Sequence, residues 1–463
     1  MKIVYTIGIV LSLFLLILGC SLSPSSSTEK EQPTPLPDSL KCAGCNVILI
    51  SLDTLRADHL GAYGYPRNTS PNIDALADQS IVFNNFFANG FFSLPVHMSL
   101  FTGTYPLKHR ILYPSHVPQY RETNQLNPEI LTITEIFKRN SYSTIWTAED
   151  THYLDLHRGF ERGFDAVYGP VFSKPLKQNQ EAFRQQIFDS AVLSMNQTRF
   201  FWFFHTYAIH APYITPEPFQ SAFINHEYSG PFPDTLEDMW KIQMEKLDVA
   251  LEQNKTFVMQ QLGVNESEIQ HLIGILDAND TVSFQNFKPI LNDNIEGAIG
   301  FGGTFFYGTN PKNSSLEDVQ QAVDTYDGGI LFVDHLLGIF FDQIKERGLW
   351  NNTIIIVISD HGEELFDHGD FGHKNFYDHT IHVPLIIHVP GMDGRVDVQN
   401  LIQSADLLPT VLSIVEIDSP QNIDGQDQIA VLRGDADPTQ ATYGISFGKM
   451  YIRTKEWKYI LNA

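Results

Sequence analysis

Cysteine is scarce in this chain, with three residues among 463. Cys42 and Cys45 form a single Cys-x-x-Cys pair, and the third is Cys20. A structural zinc site usually needs two such pairs, so the composition argues against a zinc-stabilised fold. Two interpretations of the pair are open: a disulfide of an exported protein, or two thiols without a role.

Basic residues are also few, since 30 lysines and arginines stand against 54 aspartates and glutamates. The formal net charge of -24 at pH 7 repels polyanions, so no nucleic-acid partner is expected. An acidic, solvated surface on a secreted protein accounts for this charge. An anionic ligand must then be attracted locally, by a metal ion and a few cationic groups.

Long hydrophobic runs are absent from the sequence beyond its first residues. The apolar run from Ile3 to Leu18 is followed by Gly19 and Cys20, a pattern typical of a secretory signal peptide over residues 1–20. The pattern resembles the bacterial lipoprotein class, in which Cys20 would carry lipid and hold the protein on the membrane. An uncleaved membrane anchor is the alternative, but the run is short for a span.

Residues 21–41 are rich in Ser, Pro, Thr and Glu, which predicts a flexible tether. The part of the chain after the tether is therefore expected outside the cytoplasm, lipid-anchored in the bacterial cell envelope. The periplasm and the cell surface are both compatible with this pattern.

The first chemical signal lies at the end of an apolar run. Residues 46–52 predict a buried strand that delivers Asp53, and Ser93 follows in a Pro-containing loop that leads into a helical segment. An acid at a strand end and a nearby serine indicate a metal ligand beside a nucleophile, at the edge of a parallel sheet.

A second strand signal ends in a similar way. The β-branched run 353–359 predicts a central parallel strand, and Asp360 and His361 follow it. Because the carboxyl ends of parallel strands share one edge of a sheet, this pair is the second anchor of the expected metal site. Further predicted elements are a helix from Pro71 with Ser70 as its N-cap, a helix over 131–140, strands over 143–148 and 200–205, a helix over 237–261, and a helix pair over 316–347.

Several separated blocks of the sequence have counterparts in one enzyme family. In the signature C/S-x-P-x-R-x-S-L-L-T-G, the matching residues are Ser93, Pro95, Ser99, Leu100, Thr102 and Gly103, with His97 in place of the arginine. Other matches are Gly163-Phe164-Asp165, His205 to Tyr213, Tyr326 to Asp334, Asp360-His361-Gly362 and Phe371 to Ile387, with His152 a loose match to the histidine of a G-K-W-H block. Together these blocks resemble the sulfatases of the alkaline phosphatase superfamily, over residues 46–462 apart from a long insertion at about 214–315.

The resemblance implies one divalent cation held by Asp53, Ser93, Asp360 and His361. Calcium is the cation that it favours, while manganese, magnesium and zinc stay open because a histidine is a softer ligand than calcium usually takes. The matched serine would be oxidised to formylglycine, the catalytic aldehyde, by a maturation enzyme.

The resemblance also assigns proton-transfer and sulfate-contacting groups. His210 would contact the leaving-group side of the sulfate, and either His373 or Lys374 would contact the sulfate and the leaving oxygen. For His97 two roles are open: the base that acts on the second hydroxyl of the hydrated aldehyde, or a cation that replaces the signature arginine.

The expected function is hydrolysis of sulfate esters, on a sulfated small molecule or glycan. If Ser93 stays a serine, the alternative is a hydrolase of phosphomonoesters, phosphodiesters or phosphonates, or a phosphotransferase. A third alternative is a surface lipoprotein with a degenerate site that only binds glycans.

The expected fold is α/β and alkaline phosphatase-like, with a largely parallel central sheet and helices on both faces. The catalytic domain is expected over residues 42–440, and residues 441–463 would begin a small C-terminal subdomain.

Overall fold

The structure is a computed structural model that describes residues 40–113, 124–148, 154, 158–168, 199–225, 227–233, 235–262, 264–281, 283 and 314–462. These residues all belong to one compact unit, Pro37–Ala463. The expected signal peptide, nearly all of the tether and His152 lie outside the described residues. Within the described ranges, no helix is both long enough and apolar enough to cross a membrane.

The described chain contains fifteen strands and ten α-helices, numbered here in chain order. The strands are β1 Asn46–Leu52, β2 Ile81–Phe83, β3 Phe86–Phe87, β4 Ser143–Ala148, β5 Ala166–Tyr168, β6 Phe200–Thr206, β7 Thr353–Ile358, β8 Glu364–Leu365, β9 Phe371–Gly372, β10 Leu385–His388, β11 Val396–Val398, β12 Ile402–Gln403, β13 Thr442–Ser446, β14 Lys449–Arg453 and β15 Lys458–Asn462. The helices are α1 Pro71–Ala77, α2 Ser93–Thr102, α3 Pro106–His109, α4 Ile133–Arg139, α5 Leu236–Leu262, α6 Glu266–Asp277, α7 Leu316–Glu346, α8 Asp378–Ile381, α9 Leu407–Ile414 and α10 Gln428–Arg433.

The central sheet has eight strands in the order β11-β2-β10-β7-β1-β6-β4-β5. All neighbouring pairs are parallel except the two that β10 makes with β2 and β7. The expected largely parallel sheet is therefore confirmed, with β10 as its single reversed strand. β7 was expected to be a central parallel strand, and it is parallel to β1 on one side and antiparallel to β10 on the other.

The three strands at the centre of the sheet are apolar because both faces of the sheet are covered. Every residue of β1 and of β7 is buried, and six of the seven residues of β6 are. Removing a fully buried Ile or Leu side chain from water stabilises a fold by about 1.5–3 kcal/mol. This rigid centre holds the strand ends, and therefore the residues that follow them, in fixed positions.

Helices pack on both faces of this sheet, as expected. On one face, the long helix α7 contributes Tyr326, Ile330 and Phe341 to a core shared with the even-numbered residues of β1. On the other face, the Phe101 ring of α2 packs against Phe203 of β6, with 4.9 Å between ring centroids. Helices therefore cover both faces of the sheet, and the carboxyl ends of its parallel strands lie together at one edge.

Two predicted helices differ from the structure in detail. The segment 316–347 was expected to be a helix pair, but it is one continuous helix, α7, because its apolar side faces the sheet along its whole length. Ser70 does precede α1, but its hydroxyl donates to Asp74 and accepts from the Gly61 N–H, so it caps no N–H of the helix. The carboxylate of Asp334 accepts instead from the first free N–H groups of α1.

Three further parts surround the sheet. Within the expected insertion, α5 and α6 pack against each other around a hydrophobic cluster of their own. At the C-terminal end, β13, β14 and β15 form a small antiparallel sheet, which agrees with the expected start of a small subdomain. Cys42 and Cys45 are joined by a disulfide, the first of the two interpretations left open above.

Candidate active site

Three acidic and imidazole side chains meet where β1 and β7 end. Asp53 follows β1, and Asp360 and His361 follow β7, the strand parallel to it. All three are fully buried, and their ligand atoms lie within 4.8 Å of one another. The two strand ends are linked by Ser359, whose hydroxyl accepts from the Leu55 N–H and donates to the His361 carbonyl. The structure thus brings together the three ligands that sequence reasoning expected from these strands.

The buried carboxylates lack the hydrogen-bond donors that an ordinary buried carboxylate has. Both oxygens of Asp360 and Oδ1 of Asp53 have no hydrogen-bond partner among the described residues. Two buried negative charges with so few partners are costly, and a divalent cation would neutralise both. Nε2 of His361 lies 3.5 Å from Asp360 and 3.9 Å from Asp53, while its Nδ1 donates to the Gly362 carbonyl. The residues present therefore fit a divalent metal ion.

The charges in this cluster shift the pKa values of its members. Burial alone would raise the pKa of Asp53, but His205 and the charge of His361 outweigh it, so that this pKa is lowered. Burial alone would lower the pKa of His361, but Asp360 and Asp53 raise it. Both shifts have one cause, because the negative charge of Asp53 and the positive charge of His361 stabilise each other.

Ser93 lies at the mouth of this cluster. It is the first residue of α2, rather than part of a preceding loop, and it is only partly buried. Its hydroxyl donates to Asp53 Oδ2 at 3.0 Å and lies 3.4 Å from His361 Nε2. A hydroxyl oxygen at this position can be both a metal ligand and a nucleophile.

His97 lies one helical turn after Ser93 and is fully buried. Its Nδ1 donates to the Ser93 carbonyl at 2.8 Å, and the Ser51 hydroxyl donates to its Nε2 at 2.8 Å. Burial lowers the pKa of His97 to about 4, which favours the neutral ring. This geometry favours neither expected role, base or cation, because both ring nitrogens already bind the protein.

His205 is a member of the site that the sequence-based site assignment left out. It lies on β6 directly beside Ser51 of β1, and its Nε2 is 3.5 Å from Asp53 Oδ2. Its Nδ1 has no hydrogen-bond partner in the described part of the chain. The signal was present in the sequence, since a histidine at the end of an otherwise apolar strand, FFWFFH, points to the same edge as Asp53.

A row of imidazole rings leads outward from the buried cluster. The rings of His361 and His373 have centroids 4.3 Å apart, and those of His373 and His210 have centroids 5.3 Å apart. Nδ1 of His373 donates to the buried carboxylate of Glu363 at 3.3 Å, and Nδ1 of His210 donates to the Ala211 carbonyl at 2.7 Å. Burial and the neighbouring His361 lower the pKa of His373.

Lys374 does not join this row. Its ammonium lies 3.6 Å from Asp370, and 41% of its side chain is exposed, against 17% for His373. Of the two residues that sequence reasoning left open, the structure places His373 beside the cluster. Glu363, which orients His373, was missed although it follows Asp360-His361-Gly362 directly.

Aromatic side chains border the site on the Ser93 side. The Phe92 ring lies 5.6 Å from the His373 ring and 5.8 Å from Phe447, and 44% of Phe447 is exposed. Phe447 sits in the tight turn between β13 and β14, with a φ of 52°. The small C-terminal sheet thus brings an aromatic ring to the mouth of the site.

Comparison with solved structures identifies the architecture. The phosphonate monoester hydrolase of Agrobacterium radiobacter superimposes with a TM-score of 0.62 at 20% identity, over 90% of this chain and 87% of that one. The fold is therefore alkaline phosphatase-like, as expected from the sequence.

The family follows from the sequence match. The family model described as Sulfatase matches residues 45–417, and the chain belongs to the sulfatase family of hydrolases. It is 24% identical to the multifunctional alkaline phosphatase superfamily protein PehA of Trinickia caryophylli, over 84% of this chain and 77% of that protein. It is also 24% identical to the ulvan-active sulfatase of Formosa agariphila, over 99% of this chain and 79% of that protein.

Proposed function

We propose that this protein hydrolyses sulfate esters of a glycan or a small molecule, at a divalent metal ion. One observation carries the proposal: in a chain of the sulfatase family, the Ser93 hydroxyl binds Asp53 beside three buried carboxylate oxygens without partners among the described residues. Carboxylate oxygens without partners can hold a divalent cation, and a nucleophile beside such a cation suits an ester whose own anionic oxygens repel attack.

Asp53, Asp360, His361 and Ser93 would hold the ion. When bound, it supplies positive charge that neutralises the sulfate oxygens and orients the ester. Calcium is the first candidate because most of these ligand atoms are hard oxygens, and magnesium, manganese or zinc are the alternatives. The expected measurement is one divalent ion per chain in protein purified without chelator.

Ser93 would act after oxidation to formylglycine by a maturation enzyme, which transfers two electrons and two protons to its own acceptor. One hydroxyl of the hydrated aldehyde attacks sulfur, and the bond between sulfur and the alcohol oxygen breaks. The second hydroxyl then loses its proton, the carbon–oxygen bond to sulfate breaks, and the aldehyde returns. The sulfur–oxygen bond made in the first half leaves with the sulfate, and addition of water to the aldehyde restores the hydrated form for the next cycle.

The histidines of this row would transfer the protons of this cycle. His210 and His373 lie at the outer end of the cluster, where the departing alcohol oxygen must take up a proton. Glu363 fixes the orientation of His373 through its 3.3 Å bond. His97 would instead be a positioning residue, since it joins the Ser93 carbonyl to Ser51 at the end of β1.

The aromatic border gives the alcohol part of the substrate a surface to pack on. Phe92, which directly precedes Ser93, contacts the exposed ring of Phe447, and aromatic rings pack well against sugar rings and other flat groups. This supports a sulfated glycan or an aromatic sulfate as substrate. Together with the lipoprotein-like N-terminal sequence, it fits an enzyme held at the cell envelope.

A second candidate keeps Ser93 as a serine. His97 replaces the arginine of the sulfatase signature, and the serine hydroxyl is already activated by its bond to Asp53. An unmodified serine forms an ordinary covalent ester that water must hydrolyse, which suits phosphate or phosphonate esters better than sulfate esters. The chemical state of residue 93 therefore distinguishes the two candidates.

The test combines a peptide mass with a substrate comparison. Protein from its native host is digested, and the peptide that contains Ser93 is weighed; paired aryl sulfate and aryl phosphate esters are then assayed. Loss of two hydrogens, with sulfate turnover that Ser93→Ala abolishes and Ser221→Ala keeps, supports the sulfatase. An intact serine with phosphate turnover favours the second candidate. Absence of bound ion and of turnover would leave the glycan-binding alternative.

A further inference from the structure

A second group of metal-ligating side chains lies outside the site around Ser93. Glu364 is on β8, His368 is in the turn that follows it, and His379 is on α8. One ligand atom from each of these three residues lies within 4.8 Å of the other two. Two segments that are separate in the sequence thus bring two imidazoles and a carboxylate together.

Only one oxygen of the Glu364 carboxylate has a hydrogen-bond partner among the described residues. Its Oε2 accepts from His368 Nδ1 at 2.9 Å, while its Oε1 has no hydrogen-bond partner among the described residues, although only 4% of the side chain is exposed. A buried carboxylate oxygen without a donor costs free energy unless a cation binds it. Nδ1 of His379 also lacks a hydrogen-bond partner within the described ranges.

The neighbours of this group hold its ligands in place. Asp367 lies 3.4 Å from His379 Nε2, so Nδ1 of that ring carries the lone pair that a metal needs. The ring of His368 is stacked on Tyr377, with 3.6 Å between centroids. Arg56 binds Asp367 at 2.7 Å, so this guanidinium is paired with Asp367 and not with the unpartnered Oε1 of Glu364.

We propose that Glu364, His368 and His379 bind a second metal ion, of the Zn²⁺ class. Two imidazole nitrogens and one carboxylate oxygen are a ligand set that borderline ions such as zinc prefer, whereas calcium prefers oxygen ligands. The exposed fractions of His368 and His379, 38% and 30%, leave an open side for the ion to enter and for a water ligand. Bound there, the ion links the β8–β9 turn to α8.

The experiment separates this ion from the one near Ser93. In the Asp360→Asn variant the first site is disabled, so metal-free protein of this variant is titrated calorimetrically with Zn²⁺. We expect one equivalent of Zn²⁺ to bind, and we expect adding His379→Ala or Glu364→Gln to remove it. His271→Ala, which changes an exposed histidine of α6, is the matched control and should keep it.

Spectroscopy provides a second readout that leaves the three proposed zinc ligands unchanged. X-ray absorption at the zinc edge, on Asp360→Asn loaded with one equivalent, should show two imidazoles and a carboxylate. Unchanged Zn²⁺ binding after both His379→Ala and Glu364→Gln, or a spectrum without imidazole, would overturn the proposal. Glu364→Gln is nearly isosteric, so its loss of binding with an unchanged circular dichroism spectrum is a loss of the ligand and not of the fold.

Discussion

Replacing Asp360 by Asn should stabilise the metal-free protein and should remove the stabilisation that a bound metal ion gives to the wild type. The change removes one buried negative charge while it keeps the shape of the side chain. Both oxygens of Asp360 lack hydrogen-bond partners among the described residues, and Asp53 lies in the same cluster. Relief of an unsatisfied buried group is worth about 1–3 kcal/mol, so the metal-free variant should be more stable than the metal-free wild type.

The bound ion should act in the opposite direction and favour the wild type. An ion at about 100 times its dissociation constant stabilises the native state by about 2.7 kcal/mol. For roughly 400 folded residues the unfolding entropy is about 0.8 kcal/mol per K, so this stabilisation raises the melting temperature by about 3 °C. The wild type should show this increase, and Asp360→Asn should lose it with Ca²⁺, Mg²⁺ and Mn²⁺ because the variant has lost a charged ligand. Zn²⁺ should still bind the variant at the second site.

Differential scanning calorimetry measures both effects. Each protein is stripped with a chelator and melted with and without Ca²⁺, Mg²⁺, Mn²⁺ and Zn²⁺. Asp342→Asn, on the exposed side of α7, is the matched control and should behave as the wild type. A metal-free variant no more stable than the metal-free wild type, together with an unchanged increase on adding Ca²⁺, Mg²⁺ or Mn²⁺, would refute the assignment of Asp360.

Three further predictions concern other histidine side chains. His210→Ala should lower kcat by about 10²–10⁴-fold while the bound ion remains, in a steady-state assay with metal analysis; loss of the ion would indicate a structural role. His373→Ala should lower kcat far more than Lys374→Ala, and equal losses would contradict the placement of these two side chains. Burial lowers the pKa of His109 to about 3, so folded protein keeps this ring neutral while unfolded chain protonates it near 6.5. The contribution of His109 to the free energy of unfolding should therefore fall as pH drops below about 6.5, by about 1.4 kcal/mol per pH unit. In urea titrations, His109→Gln should lose less stability than the wild type as the pH falls; equal losses in the two proteins would contradict this prediction.

The regular parts of this fold were predictable because burial controls them. Apolar runs such as 46–52 and 353–359 are stable as central strands that are covered on both faces. Because parallel strands end at the same edge of a sheet, the acids that follow these two runs lie together. The reversed direction of β10 and the continuity of α7 were not predictable in this way. Both depend on which surfaces lie opposite, and a one-dimensional pattern does not contain that information.

The residues of the site also divide into those that the sequence predicts and those that it does not. Asp53, Ser93, Asp360 and His361 lie together because each is next to a strand end or a helix start. The position of His97 also follows from the sequence, but its role does not, since the hydroxyl of Ser51 comes from another element. His373 and Lys374 are adjacent in sequence, and only the packing of His373 on His361 separates them.

The burial of the proposed metal ligands would also govern how fast an ion exchanges. Asp53, Asp360 and His361 are completely enclosed, while the partly open side chains of the cluster are Ser93, His210 and His373. At the proposed site, the ion and the substrate would therefore enter through the same opening. An oxyanion bound at that opening should block it. Free sulfate should therefore slow the rate at which a chelator removes the ion, even though sulfate itself is not turned over.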